Sequence, residues 1–468
     1  MRPEPRPRKN RHVAILDIGK TNLKFSVHGE GGEPLYEQRC SNLVHPGAPY
    51  PHFAVDDVWH WILSALKSSP EPAAIEAIVC VTHGACAALL ADDGLALPVL
   101  DYEHAAVHET DAAYEAWRDD FSQTLSPALP AGLNLGRQLF WQSQCFPAAW
   151  RRVRWVLTYP QYWAWRLGGV AASERTSLAC HTDLWRPPAD DFSALVDRAG
   201  WRPLFPPLRW AGDTLATLRP ELARNTGLPP GCRVLCGIHD SNASMVKLKQ
   251  AGLSPVSLVS SGTWVLVSSP SAALACIDPA RDMLANVDAW GRPYACARFM
   301  GGREFAHLNR RGAADADASD VAALLAGGTR ALPSFSPLGG AYAGQIGRIE
   351  GPVPANAAQD HALASLYLAL LTDDALDRLG VQEPVLIEGR LSGNRLYAGL
   401  LASLKPMQPV WVSDDLSGTS GGAFLLARPD VRWALQRREA AALDLPQLPA
   451  YRQAWRSALG AFGGIAIR

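Results

Sequence analysis

The chain has 468 residues, enough for two or three domains with sizeable buried cores. Lys plus Arg (44) almost cancels Asp plus Glu (45), and 48% of residues are hydrophobic against 19% charged. That balance suits a soluble enzyme, gives no reason to expect nucleic acid or an acidic membrane surface as partner, and leaves no apolar run long enough to span a bilayer. The nine Cys are odd in number and form no CxxC pair, and Cys232 and Cys236 lack the second pair a zinc site needs. They read as reduced, mostly buried thiols of a cytoplasmic protein.

Residues 1–10, basic and rich in Pro, read as a loose tail, because the apolar run behind them stops at Asp17, too soon for a signal peptide. Residues 12–18 (HVAILDI) read as a buried strand, 19–22 as a turn, 23–28 as a second strand, 29–34 as another turn and 35–40 as a third strand. Gly19-Lys20-Thr21 matches the last letters of a phosphate-binding P-loop. That reading fails twice: Ala14 stands where the first Gly belongs, and a strand rather than a helix follows. What remains is a hairpin whose tip carries Asp17, Gly19, Lys20, Thr21 and Asn22. Its backbone N–H groups suit phosphate oxygens and Asp17 suits a hydrated Mg²⁺, while an ordinary Asx turn is the plain alternative.

Residues 56–69 have helical spacing and an acidic first turn. Residues 74–84 read as a helix end, a buried strand and a polar loop; 94–104 as a strand entering another polar loop. Helical, Trp-rich sequence fills 135–170, and 186–230 is Pro-rich and irregular. His104 and His108, four apart near Glu103, could share a helix face as metal ligands, but a solvated helix start explains them as well.

Near 233 the pattern restarts. Residues 233–247 (RVLCGIHDSNASMVK) read as a short strand, a His-Asp loop and a helix. Asp240 is either a base at a strand end or an N-cap. Residues 256–269 repeat the first hairpin, with Ser260, Ser261, Gly262 and Thr263 at the tip as a second anion cradle or a plain turn. Residues 315–320 read as a solvated helix start, 325–347 as loops and 361–380 as a long helix. Residues 384–394 and 409–427 each read as strand, Gly-rich loop, helix. Gly418-Thr419-Ser420-Gly421-Gly422 fits the nucleophile-elbow pattern, but no His follows His361 to complete a triad, so these glycines read as a loop for close ligand approach. Two hairpin tips, two Asp at strand ends and two Gly-rich units fit one task, the placing of a Mg-nucleotide between two domains.

These blocks, in this order over about residues 12–428, resemble the FGGY family of carbohydrate kinases: LDIGKTNLKF, VTHGACAALLADDGLALPVLDYEH, LGRQLFWQSQ, YPQYWAWRLGG, SERTSLACHTDLW, CGIHDSNAS, VSSGTWVLVS, IEGRLSGNRLYAGLLA and GTSGGAFLLA. The likeness leans toward the rhamnulose and fuculose kinases through the His before Asp240 and the SSGTW turn. Departures are Asp101-Tyr102-Glu103 for the usual Trp-x-Asp, Glu388-Gly389 for Gly-Gly, and Lys20 for Thr or Ser.

The resemblance implies an α/β fold of two ribonuclease H-like domains, the actin-like ATPase fold, with an interdomain cleft. The domains would span 11–232 and 233–440, with a helical extension at 441–468. It implies phosphoryl transfer from ATP with Mg²⁺ to a small sugar, and a homodimer is compatible with it. Asp240 would be the base, Asp17 would hold Mg²⁺, and Gly19, Lys20, Thr21, Asn22, Ser261, Gly262 and Thr263 would face phosphates. Gly389, Ser392 and Asn394 would border the adenosine, and His83, Glu103 and Asp240 would meet the sugar. The competing readings are a regulator of the same fold that binds ATP and sugar without turnover, and an ATPase related to actin or chaperones.

Overall fold

The computed structural model describes residues 11–312, 314–337, 339–415 and 418–460. The N-terminal stretch read as a loose tail lies outside them. The chain forms two compact units. The first comprises residues 11–252, 285–293 and 418–434; the second comprises 253–284, 294–415 and 435–460. The first unit therefore runs past the restart at 233 and takes in a late segment. The helices Asp240–Gln250 and Thr419–Ala427 lie against each other there: a Cβ on Gly422 would come within 1.8 Å of the Ala243 carbonyl oxygen. Only Gly allows so close a backbone approach.

The first unit is built on a mixed sheet ordered Thr214–Thr217, Arg233–Leu235, Ile75–Thr82, His12–Ile18, Asn22–His28, Pro34–Ser41. The strand Ile238–His239 adds to it by parallel pairing with Val81 and Thr82. Val13 to Leu16 of the strand His12–Ile18 form a continuous apolar run because both faces of the strand are covered. Ala14, Leu16 and Ile18 join a core with Val58, Ile62 and Leu66 of the helix Val55–Ser68. Val13 and Ile15 join a second core with Ala243, Val246 and Phe424. A smaller sheet, Gly94–Leu97, Ala87–Ala91, Trp155–Thr158, borders a third core containing Trp141 and Trp185.

The second unit repeats the plan. Its sheet includes the order Pro293–Phe299, Val265–Ser269, Ser257–Ser261, Val385–Gly389, Val410–Ser413, Arg437–Glu439. In both sheets a hairpin strand pairs antiparallel with its partner and parallel with a crossover strand, and an antiparallel strand closes the series. The helices Ala357–Arg378 and Arg395–Leu404 cover the second sheet's core. The last helix, Leu448–Gly460, belongs to this unit: Trp455 is buried, and the buried Asp373 meets Arg452 at 2.6 Å, Arg456 at 2.8 Å and Lys405 at 3.2 Å.

The three opening strands fall where the sequence put them. Two expectations change. The irregular stretch 186–230 contributes a sheet strand, Thr214–Thr217, and a helix, Pro220–Thr226. The stretch 325–347, expected as loops, contains the strand Arg330–Leu332, paired with Arg348–Glu350. Both strands are too short for a periodic signal, and their pairing partners supply what propensity does not.

Candidate active site

In the first unit, Asp17, His83 and Asp240 stand at or just past the ends of three adjacent strands. Asp17 ends His12–Ile18 and sits opposite Lys24 across the hairpin. Its Oδ2 lies 3.5 Å from Lys24 Nζ and accepts the Thr419 hydroxyl at 2.6 Å. Burial raises the Asp17 carboxyl above its ordinary value; Lys24 and Thr419 oppose that shift, and the Asp240 charge reinforces it. A further cation beside Asp17 would oppose that shift as Lys24 does. Among the described residues no group of three or more His, Cys, Asp or Glu could hold a metal. A single carboxylate is nevertheless what Mg²⁺ uses when waters and phosphates complete its shell.

The hairpin tip is closed by the Gly19 N–H on the Asn22 carbonyl at 2.9 Å, and Thr21 and Asn22 are exposed. Lys20, expected to face phosphate, has close partners within this unit. Its ammonium donates to Asp101 Oδ1, lies 3.9 Å from Glu103, and sits over the Phe53 and Tyr102 rings at 4.9 and 4.8 Å. The Asp101-Tyr102-Glu103 segment that departs from Trp-x-Asp is therefore tied to the other departure, Lys20. Asp101 is buried and Glu103 mostly exposed, so Asp101 makes the tighter contact. Sequence reading named Glu103 and passed over Asp101.

His83 follows the strand Ile75–Thr82 and is ringed by Phe53, Tyr102 and Tyr159 at 5.3–5.6 Å between centroids. Burial pushes its pKa down to about 4, so the ring is neutral near pH 7. Its Nδ1 lies 2.8 Å from the Gly84 carbonyl, so Nδ1 carries the proton and donates. Its Nε2 is buried with no partner among the described residues. That leaves one lone pair facing a region where the Asp240, Lys20 and His239 charges are felt.

Asp240 is the first residue of its helix, with His239 as the N-cap, so the N-cap role is not its own. Its Oδ1 accepts from the Ser241 N–H at 2.6 Å and the Ser241 hydroxyl at 3.2 Å, and lies 3.1 Å from His239 Nε2. Burial holds the His239 imidazole below its ordinary pKa.

In the second unit, a cavity of about 550 Å³ is lined by Gly262, Gly302, Phe305, His361, Leu391 and Asn394, among others. Its size suits a nucleoside. Ser261 supplies no free hydroxyl to it: Oγ donates to the Glu388 carbonyl at 2.7 Å and accepts the Leu391 N–H at 2.8 Å. Gly389, at φ +83°, lies so close to Ser261 that a Cβ would meet its carbonyl oxygen at 2.1 Å. Asn394 caps the helix Arg395–Leu404 through the Tyr397 N–H at 2.9 Å and donates to Ser365 at 2.9 Å, and Ser392 donates to the Gly389 carbonyl at 2.8 Å. Thr263 is exposed at the tip. Of this set, Gly262 and Asn394 line the cavity directly; Ser261, Gly389 and Ser392 shape its wall. Phe305 and His361, at 5.4 Å in edge-to-face contact, were not legible as site residues, because nothing local distinguishes them from core.

The stretch 418–422, expected as a loop, is helical from Thr419 on. It opens the helix Thr419–Ala427, and Gly422 serves the helix contact described above. Ser420 is buried in that helix, which agrees with the rejection of a Ser hydrolase. His108 is occupied by Asp111 at 2.7 Å and the Ala131 N–H at 2.9 Å, which leaves the plain reading of that His pair.

Residues 253–436 match the family profile described as carbohydrate kinase FGGY, C-terminal domain. The chain is 35% identical to a carbohydrate kinase from Novosphingobium aromaticivorans of known structure, over 97% of this chain and 99% of that one, with a TM-score of 0.89. A xylulose kinase from Rhodospirillum rubrum shares the fold at 20% identity and TM-score 0.76, over 96% and 98% of the two chains. An L-fuculokinase from Salmonella typhi is 27% identical over 273 residues; the match spans 54% of this chain and only 56% of that relative. No helix among the described residues is long and apolar enough to cross a membrane.

Proposed function

The chain belongs to the FGGY family of carbohydrate kinases, and from that premise we propose that it transfers the γ-phosphoryl group of ATP to a hydroxyl of a small sugar, a ketose of the rhamnulose, fuculose, ribulose or xylulose kind. The observation that carries this reading is the set Asp240, His83 and Asp17, three side chains of one unit in which the Asp240 charge acts on the other two. They offer a base, a neutral hydrogen-bond acceptor and a site for positive charge.

Asp240 takes the proton of the sugar hydroxyl as that oxygen attacks the γ-phosphorus in line and ADP leaves. His83 presents a lone pair at Nε2, so it accepts a hydrogen bond from a second sugar hydroxyl; a carboxylate at that point would find no donor. Asp101, held by Lys20, and Glu103 bound the sugar from their loop. Asp17, its carboxylate fixed by Thr419, would hold Mg²⁺, and the ion would neutralise phosphate charge. The Gly19 to Asn22 tip and Gly262-Thr263 offer backbone N–H groups to phosphate, and the second unit's cavity takes the adenosine. ATP as donor puts the reaction in the cytoplasm.

The test is ADP release with Mg-ATP against a panel of ketoses, aldoses and polyols. One strong responder is expected among the ketoses. A flat panel with tight ATP binding would sink the kinase reading. Asp240→Asn is expected to lower transfer by about a thousandfold or more while ATP binding survives; activity that persists would remove Asp240 as base.

A further inference from the structure

We propose that Lys20 is a specificity-determining residue of the sugar site: its ammonium, braced on Asp101, donates to an oxygen of the substrate that carries no proton, the kind a ketose has and a polyol lacks. The inference rests on the kinase reading above and deepens it, from a small sugar to one with a carbonyl or a hemiketal ring.

The ammonium stands on a fixed platform. The Phe53 and Tyr102 ring centroids lie 4.9 and 4.8 Å from its nitrogen. The same two rings flank His83, at 5.3 and 5.6 Å between centroids. Main-chain hydrogen bonds hold the platform: the Asp101 N–H donates to the Pro51 carbonyl at 3.0 Å, the Phe53 N–H to the Val99 carbonyl at 2.9 Å, and the Gly132 N–H to the Tyr102 carbonyl at 2.7 Å. The tip that carries Lys20 is held as well, because the Asn42 side-chain amide donates to the Gly19 carbonyl at 2.8 Å. His83 feels both the Lys20 and the Asp240 charge, so the ammonium shares one neighbourhood with the sugar groups and the base.

Hydrogen-bonding capacity decides the role. An ammonium has three donors and no acceptor. Among the described residues Asp101 takes one of them, and Glu103, at 3.9 Å, lies beyond hydrogen-bond reach. The Lys20 side chain is only partly covered, so a donor remains for a ligand. Of the groups assigned to the sugar, His83 Nε2, Asp101, Glu103 and Asp240 all accept. They suit hydroxyl protons. An oxygen without a proton would meet only lone pairs among them, and a desolvated acceptor left unpaired is costly. Lys20 supplies the donor that such an oxygen needs. Phosphate is the poorer fit, since it would approach the two carboxylates that already balance the ammonium. The same balance favours a neutral sugar over a sugar acid.

The experiment compares the parent with Lys20→Met, which keeps an unbranched stem and removes the charge and the donors. In steady-state kinetics with the responding ketose, the KM for the ketose is expected to rise about tenfold or more, while the KM for ATP stays within about twofold. Calorimetric titration without ATP then compares that ketose with the polyol obtained by reducing its carbonyl. The parent is expected to bind the ketose about tenfold or more tighter, and Lys20→Met to bind the two within about threefold of each other. A rise confined to the KM for ATP would return Lys20 to the phosphates. A ketose-to-polyol ratio that Lys20→Met leaves unchanged would reduce Lys20 to a brace for Asp101. Either result, or a parent with no preference for the ketose, would overturn the inference. If Lys20→Met does not fold, Lys20→Thr, which also withdraws the donor, decides it by the same ratio. A parent that binds a ketose of the panel and transfers no phosphate would fail the kinase reading instead, and the calorimetric ratio would still judge Lys20.

Discussion

The two hairpins, Asp17 to Lys24 in the first unit and Ser261 to Val265 in the second, share one topology and differ in chemistry. In each, a strand pairs antiparallel with its hairpin partner and parallel with a crossover strand. The first hairpin directs charged side chains outward from its base and tip, Asp17 to Thr419 and Lys20 to Asp101. The second turns its polar side chain inward: Ser261 Oγ links the Glu388 carbonyl to the Leu391 N–H. One fold element thus serves as a charge-bearing arm in one place and as a staple for a nucleoside-sized cavity in the other. A hairpin tip supplies backbone N–H groups wherever it occurs; the side chains decide whether it does chemistry or shapes a wall.

The comparison breaks most sharply at its charged end. Asp17→Asn keeps shape and hydrogen-bonding reach but removes the charge. It is expected to lower kcat by about a hundredfold to a thousandfold, and to shift the Mg²⁺ titration of activity to higher concentration. The sugar KM should move little. An unchanged Mg²⁺ titration would show that Asp17 is only a hairpin-base residue, as Ser261 is.

At the stapled end, Ser261→Ala removes the hydroxyl that donates to the Glu388 carbonyl and accepts the part-buried Leu391 N–H, which costs about 1–3 kcal/mol. Thermal unfolding should register that loss, and the KM for ATP is expected to rise several-fold while the sugar KM stays put. A change confined to the sugar KM would place Ser261 in the wrong half of the reaction.

The smallest expected effect concerns pH. Burial lowers the pKa of His28, His83 and His239, all in the first unit; for His83 the folded value is about 4 against an ordinary 6.5. A base depressed by folding binds its proton in the unfolded chain first, so stability is full above pH 6.5 and falls as pH drops toward 4. At pH 5 the His83 contribution amounts to about 2 kcal/mol lost. The buried carboxyls Asp17 and Glu174, raised by burial, act in the opposite sense as they take up protons. His83→Phe, which fits the surrounding rings, is expected to flatten the fall of Tm between pH 7.5 and pH 5. An unaltered fall would locate the acid sensitivity elsewhere.

The sequence alone determined a good deal. The buried strand at 12–18, the repeated hairpin and the order of the motif blocks carried the fold, the family and most of the candidate site, because alternating and continuous apolar patterns and Gly turns are local signals. Asp17, His83 and Asp240 were legible because each polar residue interrupts or ends an apolar run. Tertiary structure alone decided the partners. Lys20 looked like a phosphate ligand, and only folding brings Asp101, 81 residues away, to its ammonium. Thr419 reaches Asp17 across 402 residues, and the Ser261 hydroxyl is consumed by residues 127 and 130 positions on. The short strand Thr214–Thr217 forms because Arg233–Leu235 is there to pair with it. A hydrogen bond or ion pair between distant residues leaves no periodicity in either segment. The chain encodes which groups are available, and packing determines which of them remain free for substrate.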